Sequence, residues 1–415
     1  MPSPLKITDL RVAVVGRAPM TCPLIRIDTN QEGLYGLGEV RDGASKTFAL
    51  LLKSRLVGED PRHVDKLFRK IKQFGHHARQ AGGVCAVEMA LWDLVGKYYG
   101  VPVWQLLGGR FRDTIRVYAD TEMAPDPADT ARELLRRVEQ GFTFLKMDFT
   151  RTRLQGDGLF EMIFGPPTLP PNLTVRDLLR TQHMFTGIEI SDQSIGALED
   201  YVAEVRRIIG PDLPLAADHF GHVGVNSCIR IGKALEPFNL AWLEDMIPWQ
   251  YTDLWKRITD AIDLPTCTGE DIYLKEGFAE LCRRHAVDII HPDLASSGGI
   301  LETKKIGDLA QEFGVPMALH FAGTPVSCMA NVHCAAATEN FLVLENHSVD
   351  IPWWDDLVDG PEKPIVRNGF IRVPETPGLG ITLNDEVVRE HLAEPGYFEP
   401  TPEWDDERSW DRLWS

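Results

Sequence analysis

The sequence predicts an α/β fold: a (β/α)7-8 TIM-type barrel with an α+β capping domain. The leading observation is a series of short apolar runs between Pro214 and Asn346, each closed by an acidic residue or a histidine: PLAADHF, NLAWLED, PTCTGED, DIIHPD, PMALHF and FLVLEN. The closing residues recur roughly every 25 positions, about the length of one βα unit. Near-continuous apolar strands are typical of a parallel sheet buried on both faces, and a barrel keeps its chemistry at the carboxyl ends of such strands.

Composition narrows the class of function. The 415 residues are 44% hydrophobic and 25% charged, which is ordinary for a globular chain. The formal net charge of −18 argues against a nucleic-acid-binding surface, because neutralising phosphates requires clustered Lys and Arg. An acidic protein that binds an acidic substrate needs a local positive centre, and a divalent metal is one way of supplying it.

Targeting and cysteine patterns predict a cytoplasmic protein. The segment MPSPLKITDLRVAVV lacks a long apolar stretch after a basic start, and no apolar run is long enough to span a membrane. The seven cysteines are odd in number and scattered, without a CxxC pair that would bind zinc. Reduced thiols of this kind fit the cytoplasm best.

Shifts in the hydrophobic pattern divide the chain into three predicted segments. These are a capping domain at 1–112, a barrel at 113–365 with an insert at about 151–191, and a C-terminal return to the cap with an acidic, Trp-rich tail at 366–415. The insert is rich in Gly and Pro and makes one βα unit far too long, so it is predicted to be a lid or an oligomer contact. The tail is predicted to pack on a neighbouring subunit, and we therefore expect a homo-oligomer.

In the capping segment, ITDLRVAVV, PLIRIDT and GLYGLGEV alternate like the strands of an antiparallel meander. A helical pattern begins near Ser45 in SKTFALLLKSRLV, and a second helix is predicted over PRHVDKLFRKIKQF with Pro61 in its first turn. GGVCAVEMALWDLVGKYYG predicts a third helix that ends near Gly100.

The barrel is predicted to open with the strand IRVYAD (115–120), a helix at about 126–140 and the strand FLKMDFT (144–150). After the insert, DQSIGALEDYVAEVRRIIG predicts a further helix. FIRVP and GLGITL predict short strands that return to the first domain.

Asp218, Glu244 and Glu270 end three successive predicted strands, so they would converge on one barrel mouth. Carboxylate oxygens with room for water suit Mg²⁺ or Mn²⁺ rather than zinc. Any one of them could instead be a strand-end carboxylate in a salt bridge or a helix cap. Three at nearly equal spacing favour a metal site.

Three longer stretches carry a resemblance to a known family. They are AVEMALWDLVGKYYGVPVWQLLGG, VDIIHPDLASSGGILETKKIGDLAQEFGVPMALH and GFIRVPETPGLGITL. They are similar to the cap-to-barrel segment, the sixth and seventh strands, and the return to the cap of the enolase superfamily, specifically its mandelate racemase subgroup. The pattern most resembles the galactonate dehydratase-like acid-sugar dehydratases. The resemblance implies that Asp218, Glu244 and Glu270 bind one Mg²⁺.

The resemblance also implies that Asp293 and His320 form a dyad whose imidazole removes the proton α to a carboxylate. Such a proton is barely acidic, so the developing negative charge must meet positive charge that is already in place. Asp293 would fix the tautomer of the imidazole and stabilise its cation. Glu345, on the eighth strand, could hydrogen-bond the other oxygen of the reacting carboxylate.

Two departures from the subgroup narrow the expected reaction. Members that act from both faces of their substrate carry Lys-x-Lys on strand two, whereas this chain has Lys146-Met147-Asp148. Two-base racemisation is therefore not expected. Lys146 is still predicted to neutralise a carboxylate in the site, with a plain structural lysine as the other explanation.

The second departure concerns strand three, where related dehydratases carry Asp-x-His and the histidine protonates the leaving hydroxyl. Phe220 stands at that position here. Strand alternation would send His219 away from the face of Asp218, whereas His222 lies in the following loop and could turn inward. His222 is thus the candidate leaving-group acid, with a loop hydrogen bond as the other explanation. His320 could instead serve as both base and acid.

The predicted function is that of a Mg²⁺-dependent acid-sugar dehydratase, a hydro-lyase that forms a 2-keto-3-deoxy sugar acid. Its partner would be a small carboxylate substrate, with no nucleic acid and no membrane. One alternative is a one-base epimerase or lactone cycloisomerase acting on a sugar acid. An alternative of another class is a non-catalytic metal-binding barrel.

Overall fold

The computed structural model describes residues 4–149, 192–218 and 224–406. The predicted insert at 151–191, the histidines at 219 and 222, and the end of the tail at 407–415 lie outside the described residues. Contacts divide the chain into two compact units. Unit 1 comprises Met1–Val117, Glu270–Ala279 and His291–Ser415, and unit 2 comprises Tyr118–Gly269 and Glu280–Ile290. The domain limits expected from the sequence stay a prediction.

The described strands are, in chain order, β1 (Ile7–Val15), β2 (Cys22–Thr29), β3 (Tyr35–Glu39), β4 (Thr114–Glu122), β5 (Leu145–Asp148), β6 (Leu215–Asp218), β7 (Leu243–Glu244), β8 (Thr266–Thr268), β9 (Ile289–Ile290), β10 (Met317–Leu319), β11 (Phe341–Asn346), β12 (Val358–Asp359), β13 (Phe370–Arg372), β14 (Thr382–Leu383) and β15 (Leu392–Tyr397).

The described α-helices are α1 (Thr47–Leu50), α2 (Lys53–Leu56), α3 (Val64–Ile71), α4 (Gly82–Tyr99), α5 (Val103–Leu106), α6 (Pro127–Glu139), α7 (Asp192–Ile209), α8 (Val225–Leu235), α9 (Thr252–Thr259), α10 (Lys275–Arg283), α11 (Leu294–Ser297), α12 (Ile300–Glu312), α13 (Pro325–Ala336) and α14 (Asp385–Glu390). Short 3-10 helices cover Lys72–Phe74, Ala78–Ala81, Glu236–Phe238, Asp355–Leu357 and Pro402–Trp404.

The predicted barrel is confirmed. Strands β4 to β11 are hydrogen-bonded neighbours in chain order, and β11 also pairs with β4, which closes the sheet. The pairs with a described register are parallel, for example Asp148 with Asp218 on β5 and β6, and Glu244 with Cys267 on β7 and β8. Parallel neighbours in register place their carboxyl ends at one rim, where the sequence predicts the chemistry.

The predicted meander and its helix are also confirmed. A sheet with the order β15-β1-β2-β3 packs against α4, which ends at Gly100 in the left-handed conformation (φ 70°). Gly36 and Gly38 on β3 allow this close approach, because a Cβ atom at either position would collide with the backbone carbonyls of Ala90 or Ala86.

Two predicted helices differ in the structure. The helical stretch from Ser45 forms two short helices, α1 and α2, rather than one. Pro61 lies before the second predicted helix rather than in its first turn, because α3 begins at Val64 after His63. Proline has no backbone N–H, so Pro61 loses no hydrogen bond by lying outside the helix.

The C-terminal segment contacts both the start of the barrel and the cap. FIRVP forms β13, which pairs antiparallel with the start of β4. GLGITL does reach the cap, because Leu379 donates its backbone N–H to Asp93 of α4 at 2.8 Å. The start of the predicted tail contributes to β15, which pairs antiparallel with β1. An exposed edge strand is a ready partner for such an addition. The expected packing of the tail on a neighbouring subunit stays a prediction.

All seven cysteines are free and buried. Among the described residues, the helices are too short or too polar for any of them to cross a membrane.

Buried carboxylates of the cap hold the starts of two long helices within unit 1. Glu88 of α4 accepts hydrogen bonds from the backbone N–H groups of Ile300 (2.5 Å) and Leu301 (3.0 Å), the first residues of α12. Glu39, at the end of β3, accepts from the N–H groups of Thr324 (2.9 Å) and Ser327 (3.2 Å) at the start of α13. Each carboxylate satisfies N–H groups that have no partner inside their own helix and complements the positive end of its dipole.

Glu88→Gln is expected to lower the free energy of unfolding by about 1–3 kcal/mol, because the amide NH2 that replaces one carboxyl oxygen cannot accept a hydrogen bond from a buried backbone N–H. Burial raises the pKa of Glu88 to about 7, above the ordinary value of 4.5. The folded state therefore binds more protons between these values, and this contribution to stability is lost as pH rises toward 7.

The cost of Glu88→Gln should accordingly be larger at pH 5 than at pH 8, measured by urea unfolding at both values. Glu133→Gln, on the exposed face of α6, is the matched control with little effect at either pH. An equal cost at both pH values would contradict the raised pKa.

Candidate active site

Polar side chains stand at the carboxyl ends of the barrel strands in both units. Asp218 and Glu244 are the last residues of β6 and β7, in unit 2. In unit 1, His320 directly follows β10 and Glu345 lies within β11. The strands therefore carry these predicted site residues to the rim where a TIM-type barrel performs catalysis.

Asp293 and His320 form the predicted pair. His320 Nδ1 lies 2.6 Å from Asp293 Oδ2, and the two residues are joined by a parallel β-bridge in which His320 N donates to Pro292 O at 3.1 Å. The other oxygen, Asp293 Oδ1, accepts from Ala295 N at 2.6 Å as the N-cap of α11. Backbone pairing and the cap thus fix both partners of the hydrogen bond.

Arg41 is a residue of the site that the sequence did not reveal. Its guanidinium is only 1% exposed and forms ion pairs with Asp293 Oδ2 and with Asp42 Oδ1 (2.9 Å). It also lies 3.4 Å from Glu270 Oε1 and 3.1 Å from His320 Nδ1. A buried guanidinium of this kind is a permanent positive charge, since arginine stays protonated in proteins.

The charge state of Asp293 follows from these contacts. Burial acts to raise the pKa of the Asp293 carboxyl, but Arg41 and His320 outweigh it and hold that pKa below its usual value. Asp293 is therefore ionised, and its short contact with His320 requires the proton on Nδ1. Arg41 and His320 accordingly both donate to Asp293 Oδ2 rather than bonding each other. This tautomer leaves Nε2 as the nitrogen that can take up a proton.

Glu270 contacts this pair directly. Its Oε2 lies 3.0 Å from His320 Nε2, while Oε1 faces Arg41. A carboxylate at that distance accepts a hydrogen bond from Nε2 whenever that nitrogen carries a proton. Glu270, which follows β8 across Gly269, therefore belongs both to the predicted metal set and to the surroundings of the base.

Three histidines surround Glu345, and together these four residues form what we call the histidine cluster: His291, His320, His347 and Glu345. His347 Nε2 lies 3.3 Å from Glu345 Oε1, and His320 Nε2 and His291 Nε2 each lie 3.8 Å from Oε2. The ring centroid of His320 is 5.5 Å from that of His347 and 5.8 Å from that of His291. Glu345 is fully buried, so the cluster is a protected site in which one carboxylate faces three imidazoles.

Unit 2 gathers two of the predicted metal ligands around a lysine. Lys146 Nζ, on β5, lies 2.6 Å from Asp218 Oδ2 and 3.5 Å from Glu244 Oε2. Trp242 Nε1 donates to the same Glu244 oxygen at 2.8 Å. The lysine and both carboxylates are almost completely buried, so water cannot screen their charges.

This set suits a hard divalent cation. Asp218 and Glu244 are adjacent on register-paired strands and offer only carboxylate oxygens. Such a donor set fits Mg²⁺ or Mn²⁺. His320, Glu345 and His347 also offer ligand atoms within 4.8 Å of one another, but two imidazole nitrogens and one carboxylate are a donor set typical of zinc. The residues present therefore fit the implied metal at the carboxylates.

Comparison with known proteins decides the family. Residues 129–387 match the family model described as enolase C-terminal domain-like, and residues 3–108 match the N-terminal domain of mandelate racemase / muconate lactonizing enzyme. The chain belongs to the mandelate racemase / muconate lactonizing enzyme family of the enolase superfamily. Members of this superfamily bind a divalent metal, in agreement with the carboxylate set described above.

Named relatives of this family member include dehydratases. D-xylonate dehydratase of Haloferax volcanii is 34% identical over 400 residues, which are 94% of this chain and 89% of that protein. Arabinonate dehydratase of Saccharolobus solfataricus is 27% identical and covers 92% of this chain and 93% of its own. A mandelate racemase/muconate lactonizing enzyme-like protein from Rubrobacter xylanophilus has a similar structure, with a TM-score of 0.81, 32% identity and coverage of 95% of this chain and 100% of that chain. This family member is a lyase of the hydro-lyase class.

The structure brings His320, Asp293 and Glu345 together as the sequence predicts, and it sets Lys146 against Asp218 and Glu244. The role of each stays a prediction, and so does His222, which lies outside the described residues. Arg41 had no local signal, because it meets His320 across 279 positions of the chain. His347 could have been found from the sequence, since strand alternation places it on the same face as Glu345, two residues earlier.

Arg41→Gln is expected to raise the pKa of the Asp293 carboxyl. Burial raises this pKa, and the substitution removes the positive charge that lowers it most. It should also lower the free energy of unfolding by about 3–5 kcal/mol, since one partner of a buried ion pair is removed. Titration of ¹³C-labelled aspartate carboxyls and urea unfolding measure the two effects.

The matched control is Arg79→Gln, which removes a guanidinium that pairs with Asp42 (3.1 Å) at a more exposed position. An Asp293 carboxyl that titrates identically in the wild type and in Arg41→Gln would contradict the role given to Arg41.

Proposed function

We propose that this hydro-lyase is a Mg²⁺-dependent dehydratase of sugar acids. The observation that carries the proposal is the Asp293–His320 pair, with Nδ1 committed to Asp293 and Nε2 turned toward Glu270 and Glu345. An oriented imidazole at a barrel rim that also carries a carboxylate donor set suits removal of a proton next to a carboxylate. The similarity to D-xylonate dehydratase supports a sugar acid as the substrate.

Asp218, Glu244 and Glu270 would hold the metal. When bound there, Mg²⁺ supplies positive charge for the carboxylate of the substrate as negative charge develops on it. Mn²⁺ has the same preference for oxygen ligands and is a second candidate. Trp242, which donates to Glu244, and Lys146, which faces Asp218 and Glu244, orient these carboxylates.

His320 takes the α-proton on Nε2 and becomes an imidazolium that Asp293 stabilises. The C–H electron pair moves into the carbon framework, and the bond to the β-hydroxyl breaks, releasing water once that oxygen has received a proton. The enol that remains becomes a 2-keto-3-deoxy acid when a proton returns to the β-carbon. Glu345, whose Oε2 lies 3.8 Å from His320 Nε2, lies beside the place where the α-proton is removed.

His320→Asn is expected to reduce dehydration by roughly 10²–10⁴-fold, because it removes the acid–base group while keeping a polar side chain of similar size. The measurement is formation of 2-keto acids from a library of aldonic and uronic acids that includes D-xylonate, in the presence of Mg²⁺. His285→Asn, on an exposed turn with φ 47°, is the control and should retain activity. No turnover of any library member, with His320→Asn indistinguishable from the wild type, would refute the proposal.

Removal of metal is expected to abolish dehydration reversibly. Protein treated with EDTA should regain activity when Mg²⁺ is added, and Glu244→Gln should weaken Mg²⁺ binding at least about 10-fold in calorimetry, because a charged ligand is lost. Asp260→Asn changes a carboxylate on the exposed end of α9 and should bind Mg²⁺ normally. Full activity of the metal-free protein would contradict the metal's role.

An epimerase or lactone cycloisomerase that uses one base would begin with the same proton abstraction. Product analysis in D₂O separates the reactions, since epimerisation places deuterium at the α-carbon without loss of water. Metal-dependent deuterium exchange on any sugar acid would exclude a non-catalytic metal-binding barrel. The expected homo-oligomer and cytoplasmic location stay predictions.

A further inference from the structure

We propose that His347 is the acid that protonates the leaving hydroxyl, with Glu345 positioning it next to His320. The inference rests on the proposed dehydration and adds the group that delivers its second proton. The family patterns that would supply such a group are replaced here, by Asp148 on β5 and by Phe220 after β6.

The position of His347 is suited to this role. It follows β11, two residues after Glu345, so both side chains leave the same face of the strand. Its side chain is 10% exposed, while Glu345 and His291 are fully buried. Of the two histidines that flank His320 in the histidine cluster, His347 is thus the one that retains access to solvent, from which an acid must recover its proton after each turnover.

Glu345 links the two imidazoles through different oxygens. Its Oε1 faces His347 Nε2 at 3.3 Å, and its Oε2 faces His320 Nε2 at 3.8 Å. A buried carboxylate favours the protonated form of an adjacent imidazole, so His347 can carry the proton that the hydroxyl needs. His320, whose Nδ1 is held by Asp293, is the base of the proposed function, so the two imidazoles take different roles.

The spacing predicts a syn elimination. Ligand nitrogens of His320 and His347 lie within 4.8 Å of each other. A proton is transferred over about 2.6–3.2 Å between heavy atoms, so acid and base on opposite faces of a substrate would be more than about 6 Å apart. Groups on the same face, serving adjacent carbon atoms about 1.5 Å apart, fit the shorter distance.

The proton balance closes without another reactant. His320 takes the α-proton, the C–O bond breaks, and His347 gives its proton to the departing oxygen, which leaves as water. The proton on His320 then passes to the β-carbon of the enol, and the enol O–H releases its proton to solvent, which yields the 2-keto acid. His347 regains a proton from solvent, so both histidines end as they began.

The test separates acid from base with a leaving group that needs no proton. His347→Asn is compared with the wild type on D-xylonate and on 3-deoxy-3-fluoro-D-xylonate, from which fluoride leaves as an anion. We expect dehydration of D-xylonate to fall about 10²–10⁴-fold while fluoride release stays close to the wild-type rate. Exchange of the α-hydrogen with D₂O should persist in the variant, because His320 still removes that proton. His347→Gln should behave in the same way.

Each other outcome overturns the inference. Normal dehydration by His347→Asn would show that another group donates the proton, and the same selective loss in His222→Asn alone would assign that role to His222. An equal loss of fluoride and water elimination would make His347 a structural residue or part of the base. A wild type that neither eliminates fluoride nor exchanges the α-hydrogen would refute the proposed function, and the inference with it.

Discussion

The sharing of one oxygen, Asp293 Oδ2, between Arg41 and His320 is the interaction on which the site depends. A buried aspartate without a cation would take up a proton, because the low dielectric disfavours its charge. Arg41 keeps it ionised, and an ionised Asp293 fixes the proton of His320 on Nδ1. The basic nitrogen is thus selected by Arg41, which lies two residues beyond β3 and contacts Asp293 directly.

The surroundings of His320 show how one imidazole is prepared for two protonation states. With a proton on Nε2, the ring is stabilised by Glu270 at 3.0 Å and by Asp293 at 2.6 Å. Without it, Nδ1 still donates to Asp293 and the orientation of the ring is unchanged. Because Asp293 orients the ring in both states, His320 does not have to turn during the reaction. Its hydrogen-bond partners are therefore already in place when the positive charge develops on the ring.

The barrel, the meander and the residues at the strand ends could be predicted from the sequence, because the periodicity of strands and the polar residues that close them are local patterns. Asp218, Glu244, Asp293 and His320 could be selected for this reason. Arg41 could not, since its partners come from segments far along the chain and nothing in GEVRDG distinguishes it from a surface arginine. The pairing of β13 with the start of β4 and of β15 with β1 was likewise not predictable, because short alternating runs do not specify strand partners or register.

Glu39 and Arg41 stand two positions apart at the end of β3, and each serves the barrel segments of unit 1. Glu39 holds the first turn of α13, while Arg41 sets the ionisation of Asp293. The cap therefore cannot be exchanged without changing the barrel segments that Glu39 and Arg41 contact. A chimera that received residues 1–41 of a relative would change the anchoring of α13 and the electrostatic environment of Asp293 in one step. The anchoring of α13 and the ionisation of Asp293 are therefore coupled through one short segment of the chain.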